Sequence, residues 1–439
     1  MKKTTAIAAM VFFIFMAGQS VFAGEVTLSV NLDQTRIEAG NTSTSYVKVG
    51  LVGSEDTGTA RPVLNLSLVL DRSGSMQGEK INQAIDAAVK AVGMMSSRDY
   101  LSLVVYDTNV EVLIPAQRVT EPEIFYRALN RLRAGGSTAL FAGVSKGAQE
   151  VRKHYAANRV NRVILLSDGQ ANVGPDSPAA LGELGSKLGR EGISVTTIGL
   201  GDGYNEDLMA RLALKSDGNH AFAENPRDLA RIFESEFKDV LSVAALDISI
   251  TITCGPGVRP IRILNREGDI RGNTVIINLN QILNMQEKYA LIELEVPPGP
   301  SGTSRDMVSA VAVYRTLADV RSEIKQPMIR AEYTSDTNAL QRSVRNDVKE
   351  TVVLQLATER NEEALRLRDE GKPAEAQAVL VQNSQMLKEA SAAYSSPMLQ
   401  EYAEANAVEA EKITDDSEWN VTRKAMRESQ QSNKLQQSY

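Results

Sequence analysis

The chain has 439 residues, too many for one ordinary hydrophobic core, so about two or three domains are expected. Its 43% hydrophobic and 23% charged content is that of a globular protein and excludes a disordered one. The formal net charge of −7 argues against a nucleic-acid footprint and against a polybasic anchor on a membrane surface.

Residues 1–23 read as a secretory signal. Lys2 and Lys3 form a basic start, Ala6 to Ala17 a short apolar run, and Val21-Phe22-Ala23 a small-x-small cleavage site. The run is short for an anchor helix. Removing the two lysines takes the formal charge from −7 to −9 (−7 − 2). The signal is similar to those of Gram-negative bacteria, so the periplasm is expected, with secretion or the cell surface as the alternative. No cysteine follows the cleavage site, which argues against a lipoprotein. No later apolar run approaches a membrane span, so a transmembrane channel is not expected. Cys254, the single cysteine, excludes an intramolecular disulfide and is expected as a buried small apolar residue.

Glu25 to Val52 alternates in the manner of two or three strands broken at Ala39-Gly40-Asn41, and Gly53 to Pro62 is a connector. Val63 to Leu70 is apolar on both faces, as a central strand covered on two sides requires. From there to about Ser242 strands and helices alternate. Strands are expected at Tyr100–Tyr106, Val110–Ile114, Arg162–Ser167, Ser194–Leu200 and Asn219–Ala223. Helices are expected at Glu79–Met94, Glu121–Arg133, Leu140–Tyr155, Ala179–Arg190, Glu206–Leu214 and Pro226–Leu241. Such alternation predicts an α/β fold with a doubly wound, mostly parallel sheet between helical layers.

Val243 to Tyr333 changes character: Ile248, Ile250 and Ile252 alternate with polar residues, and Gly-Pro clusters separate further strands. These strands and the N-terminal ones are each too few for a sandwich. The α/β domain is therefore expected to be inserted into one antiparallel β-sandwich-like domain. Asn338–Glu370 and Pro373–Ala393 predict a C-terminal α-helical hairpin, broken at Gly371-Lys372-Pro373, with a further helix at Leu399–Ile413. The expected organisation is a signal at 1–23, N-terminal strands at 24–62, the α/β domain at 63–242, the β domain at 243–333, the helical hairpin region at 338–415 and a polar tail at 416–439, frayed over Gln430 to Tyr439.

Three stretches carry chemistry. The central strand delivers Asp71, Ser73 and Ser75 to its C-terminal end, where open α/β sheets bind ligands. Gly135-Gly136-Ser137-Thr138-Ala139-Leu140 offers the Thr138 hydroxyl on a loop that glycine lets approach closely. Val163 to Gly169 is a buried strand ending in Asp168. Hard oxygen donors of this kind suit Mg²⁺ or Mn²⁺. The bland alternative is a Ser-Gly-Ser turn with Asp71 capping the next helix.

The pattern Asp-x-Ser-x-Ser with a distant Thr and a distant Asp resembles the von Willebrand factor type A (VWA) domain and its metal-ion-dependent adhesion site (MIDAS), over roughly Val63 to Ser242. The resemblance implies that Asp71, Ser73, Ser75, Thr138 and Asp168 hold a divalent cation, Mg²⁺ in the first place and Mn²⁺ or Ca²⁺ as alternatives. It implies that an Asp or Glu of a partner protein completes the coordination, and that the protein is not an enzyme. A cation held by neutral hydroxyls is under-neutralised, so an incoming carboxylate gains strongly.

Two rival readings stand beside this one. In the first the protein is a structural or scaffold component of the envelope whose metal stabilises the fold. The second, a metal-dependent hydrolase, lacks an evident general base. A phosphotransferase of the haloacid-dehalogenase type needs Asp-x-Asp, where this chain has Ser73, and there is no Gly-x-Ser-x-Gly elbow. His154 and His220, the two histidines, read as surface or structural residues. Asp202, Glu206 and Asp207 are expected to cap a helix, and Glu359 to Glu370 to be a solvated helix face.

Overall fold

The computed structural model describes residues 21–22, 26–55 and 61–437. The expected secretory segment therefore lies outside the described residues, apart from a two-residue strand. In chain order the elements begin with β1 (Val21–Phe22), β2 (Val26–Leu32), β3 (Arg36–Glu38) and β4 (Ser43–Gly53). The α/β part follows: β5 (Val63–Asp71), α1 (Glu79–Gly93), β6 (Tyr100–Tyr106), β7 (Val110–Arg118), α2 (Pro122–Leu129), α3 (Leu140–Arg152), β8 (Arg159–Ser167), α4 (Pro178–Arg190), β9 (Ser194–Leu200), α5 (Glu206–Lys215), β10 (His220–Ala223) and α6 (Leu229–Leu241). Then come β11 (Val243–Cys254), β12 (Arg259–Ile263), β13 (Asp269–Arg271), β14 (Thr274–Leu283), β15 (Glu287–Val296), β16 (Ser304–Arg315) and β17 (Arg321–Thr334). The helices α7 (Thr337–Arg342), α8 (Asn346–Asp369), α9 (Pro373–Tyr394), α10 (Pro397–Lys412) and α11 (Trp419–Leu435) close the chain.

The α/β sheet has the order β10-β9-β8-β5-β6-β7, parallel throughout except at β7. Its central strand is apolar on both faces because both are covered. Leu64, Leu66, Leu68 and Leu70 face a core shared with α1, α2 and α6. Val69 faces a second core shared with α3, α4 and α5. On that second face α3 comes unusually close to the sheet. A Cβ on Gly147 would stand 2.5 Å from Val69 Cγ2, a distance only glycine permits.

The remaining strands form two sheets, β1-β2-β4-β15-β12 and β13-β14-β11-β16-β17-β3, which enclose one core. N-terminal strands enter both: β4 pairs with β15 from Ser43↔Val296 to Val52↔Glu287, and β3 pairs with β17. The α/β part is thus inserted between strands of one sandwich, as the strand count predicted. Cys254 is buried in that sandwich core, and burial pushes its thiol up to about 11.

The helical region departs from expectation in two places. The helix expected over Asn338–Glu370 is two helices, α7 and α8. Between them Ser343 and Arg345 bond to the β2–β3 turn instead of continuing a helix: Thr35 N donates to Ser343 O (3.2 Å) and Arg345 N to Asp33 O (2.9 Å). Lys349, in the first turn of α8, pairs with the buried Asp33 at 2.6 Å. The expected polar tail is instead a helix, α11, and its end, expected to fray from Gln430, is docked, with Gln430 and Gln431 buried. Its polarity reads as a tail in isolation, but its charges find partners on distant elements, Glu206 and Asp207 of α5 and Glu362 and Asp369 of α8.

Among the described residues no helix is long and apolar enough to cross a membrane.

Candidate metal centre

Parallel pairing of β5 with β8 (Leu70↔Leu166) brings the strand ends to the same level, so Asp71 lies beside Ser167 and Asp168. A chain of bonds runs across them. Ser73 N donates to Asp71 Oδ1 (2.8 Å) and Ser167 Oγ to Asp71 Oδ2 (2.7 Å). Ser73 Oγ and Ser75 Oγ are 3.0 Å apart, and Ser75 Oγ donates to Asp168 Oδ1 (2.7 Å). The other oxygen of Asp168 takes the ammonium of Lys80, from the first turn of α1, at 2.5 Å.

The third loop is tied to the first by its backbone: Gly74 N donates to Gly136 O (3.0 Å) and Gly135 N to Arg72 O (2.7 Å). Asn172 accepts from Thr138 N at 2.8 Å and so holds Thr138 in place. Gly169 makes the convergence possible. A Cβ there would lie 3.1 Å from Thr138 Oγ1 and 3.4 Å from Ser75 Oγ, so the two hydroxyls approach one spot over bare backbone. Asp71, Ser73, Thr138 and Asp168 are buried, whereas Ser75 is exposed and marks the mouth.

The capping alternative does not describe this loop. The N-cap of α1 is Gly78, with no side-chain cap bond, and Asp71 bonds within its own turn and to Ser167.

Burial pushes the Asp71 carboxyl up to about 6, with the charge of Asp168 adding to the effect; bonds from Ser167 and Ser73 pull the other way. The two buried carboxylates are linked by hydroxyls, and one lysine ammonium, that of Lys80, lies on Asp168. The donors are all hard oxygens, so the set fits Mg²⁺ or a similar ion. Asp71, Ser73, Ser75, Thr138 and Asp168 are the residues that would hold it. Among the described residues no three His, Cys, Asp or Glu side chains converge on a point, so these loops do not build a carboxylate- or imidazole-rich centre.

Neither histidine joins the site. His154 stacks on Tyr100, with ring centroids 4.3 Å apart, at the opposite edge of the sheet. His220 is fully buried with Nδ1 2.8 Å from Thr197 Oγ1, and burial lowers it to about 4. Three contributors escaped the reading of the sequence: Lys80, Ser167 and Asn172. Ser167 alone had a local signal, since it adjoins Asp168 at the strand end.

The acidic cluster after β9 is also corrected. Asn205, not Asp202, Glu206 or Asp207, caps α5, accepting from Leu208 N at 3.2 Å. Glu206 and Asp207 instead hold α11. Arg423 pairs with both and with Asp369, Lys424 with Glu206 (3.2 Å), and Arg427 with Asp207 (2.8 Å). Burial alone would raise the Asp207 carboxyl, but Arg427 and Arg423 outweigh it and hold it below its ordinary value. The supposedly solvated face of α8 likewise engages other elements, through Glu359 to Arg262 and Glu362 to Lys434.

A doubly wound sheet with hydroxyls and carboxylates gathered at its C-terminal edge defines a ligand-binding α/β domain. Residues 65–234 match the family model of the von Willebrand factor type A domain, and the chain carries such a domain. An uncharacterized protein of Synechocystis sp. is 28% identical over 61% of this chain and 66% of its own length. Inter-alpha-trypsin inhibitor heavy chain H3 of Rattus norvegicus is 29% identical over 36% of this chain and 18% of its own length. The chain thus spans less than two thirds of either relative. A von Willebrand factor type A structure from Catenulispora acidiphila superposes over 89% of this chain and 92% of that one with a TM-score of 0.71 at 18% identity, a likeness of fold. Domains of this type generally mediate protein–protein interaction and are generally non-catalytic.

Proposed function

We propose that this is an exported, non-enzymatic binding protein whose VWA domain holds a divalent cation, Mg²⁺ first, at Asp71, Ser73, Ser75, Thr138 and Asp168. An Asp or Glu of a partner protein completes the coordination in a MIDAS-type adhesion contact. The observation that carries the reading is the convergence of three loops on one spot, with two buried carboxylates below and the exposed Ser75 at the mouth. Bound there, the cation supplies an open position for an outside carboxylate. Ser73, Ser75 and Thr138 present neutral oxygens to it, while Ser167 and Asn172 hold Asp71 and Thr138 in place. Export to the periplasm, or to the cell surface or medium, is supported by the pattern of residues 1–23.

The test is retention of envelope proteins on the immobilised mature chain in Mg²⁺ and in EDTA, for wild type and Asp71→Ala. Calorimetric titration with Mg²⁺ runs in parallel. Partners held only by wild type in Mg²⁺, with heat of binding only in wild type, are expected. Metal binding with equal retention in every lane would replace adhesion by the scaffold reading, in which the ion only stabilises the fold. Absence of any heat in wild type would end the metal proposal.

A further inference from the structure

The loop from β9 to α5, residues 201–205, lies between the candidate metal centre and α11. On one side it backs onto the centre: a Cβ on Gly203 would stand 3.0 Å from the Asp168 carbonyl oxygen, and one on Gly201 3.8 Å from Lys80 Nζ. On the other side it meets α11. Tyr204, 1% exposed, has the ammonium of Lys424 over its ring, 5.1 Å from the centroid. Lys424 is itself buried and also pairs with Glu206 at 3.2 Å, while Arg423 pairs with Glu206 and Asp207. Gly203, Tyr204 and Glu206 thus join the backbone of Asp168 to α11 by direct contacts.

A second observation concerns α11 itself. What holds it is chiefly polar: its ion pairs to α5 and α8, and a bond from Phe222 N on β10 to Glu428 Oε1 (2.9 Å). Met426 and Leu435 are its buried apolar side chains. Gln430 and Gln431 are buried, and the side-chain amide of each keeps an atom without a hydrogen-bond partner. A gap of about 350 Å³ remains beside it, lined by Phe222 and Ile232 on one wall and by Ala425, Ser429 and Ser432 on the other. A helix that regains water for unmatched groups on leaving, and loses little apolar burial, sits at the low-stability end of a fold. Docked and released α11 are two states that a ligand can shift.

We propose that the docking of α11 and the binding of the divalent cation are coupled through this loop. The proposal rests on the metal reading of Asp71, Ser73, Ser75, Thr138 and Asp168 given above. Docked, α11 fixes Tyr204 and the start of α5, and the loop keeps Asp168 in place for the cation. Released, it leaves the loop free, and ordering the loop again costs part of the binding free energy. The cation is therefore held more tightly when α11 is docked, and by linkage the cation holds α11 down by the same factor. The helix lies outside the matched VWA segment, residues 65–234, so the regulation comes from a unit that the VWA domain does not itself contain.

The test follows both sides of that linkage on the mature full-length chain. Hydrogen exchange of α11 is measured in saturating Mg²⁺ and in EDTA, with α7, packed on β3 and β17, as the reference helix. Mg²⁺ affinity is measured by calorimetry in wild type and in the double variant Arg423→Met/Lys424→Met. Mg²⁺ is expected to slow exchange of wild-type α11 by about fivefold or more and to leave that of α7 unchanged. The double variant, its α11 exchanging freely, is expected to bind Mg²⁺ more weakly by the same factor. If that variant fails to fold or keeps α11 protected, the wild-type exchange decides. Heat of Mg²⁺ binding in wild type with α11 exchange unchanged, or slowed no more than that of α7, would overturn the coupling and leave the metal reading intact. Equal Mg²⁺ affinity in a double variant whose α11 is unprotected would do the same. Absence of heat in wild type would end the metal reading and this inference with it.

Discussion

The C-terminal edge of the α/β sheet, with Asp71 and Asp168, and the seam that fastens α11 to α5 are both polar, and they are built by opposite rules. At the sheet edge the bonds are short in sequence or join adjacent strands, as from Ser73 to Asp71 and from Ser167 to Asp71. Glycines clear the space, and among the described residues Lys80, bonded to Asp168, is the one cation paired with either of its carboxylates. At the seam the bonds reach far along the chain: Arg423 meets Asp207 across 216 residues. There carboxylates meet cations nearly one for one. An edge with uncompensated negative charge and a mouth is arranged for something from outside. A seam of matched charges holds the chain to itself.

The largest expected effect is at the seam. Arg423→Met takes from Asp369 its cation and leaves Glu206 to Lys424 and Asp207 to Arg427, so the loss of the charged hydrogen bonds costs about 2 kcal/mol. Denaturant midpoints and hydrogen exchange along α11 would register it. Undiminished stability with α11 still protected would mean that Met426 and Leu435, the buried apolar residues of α11, hold the helix without the charges.

A smaller effect is expected at the sheet edge. If Lys80 and a divalent ion compete for Asp168, Lys80→Met tightens Mg²⁺ binding about tenfold, close to 1.4 kcal/mol. Unchanged affinity in calorimetry would show that the ammonium swings aside at no cost and that the comparison overstates its role.

The smallest effect concerns a carboxylate matched by neither rule. Glu409 of α10 has an oxygen without a hydrogen-bond partner, and burial pushes its carboxyl up to about 7. Because the folded value lies above the unfolded one, the stability it contributes is complete below about pH 4.5 and is lost as pH rises through about 7. Glu409→Gln should therefore match wild type near pH 5 and exceed it by about 1 kcal/mol near pH 8. A gap that is the same at both pH values would show that the wild-type carboxyl is charged throughout.

Legibility followed the same division. Strand periodicity and short glycine-containing turns place the stretches holding Asp71, Ser73, Ser75, Thr138 and Asp168 at one sheet edge, and the resemblance to the VWA pattern singles the five out as a set. Lys80, five residues beyond Ser75, looked like any first-turn lysine; its bond to Asp168 exists only because β5 and β8 are neighbours. The same holds for Glu206 and Asp207, whose position suggested a cap while Asn205 makes the cap bond. The break between α7 and α8 was hidden because it depends on the β2–β3 turn.

By itself the sequence determined the α/β insertion in a β sandwich, the helical C-terminal region and the gathering of Asp71, Ser73, Ser75, Thr138 and Asp168. These follow from periodicity and from turns that act over a few residues. The tertiary structure alone decided which cation faces Asp168, what the acidic start of α5 binds, and that the polar end of the chain is a docked helix. An ion pair stores its energy in distance, not in spacing along the chain, so charges far apart in sequence acquire roles only when the fold brings them within reach.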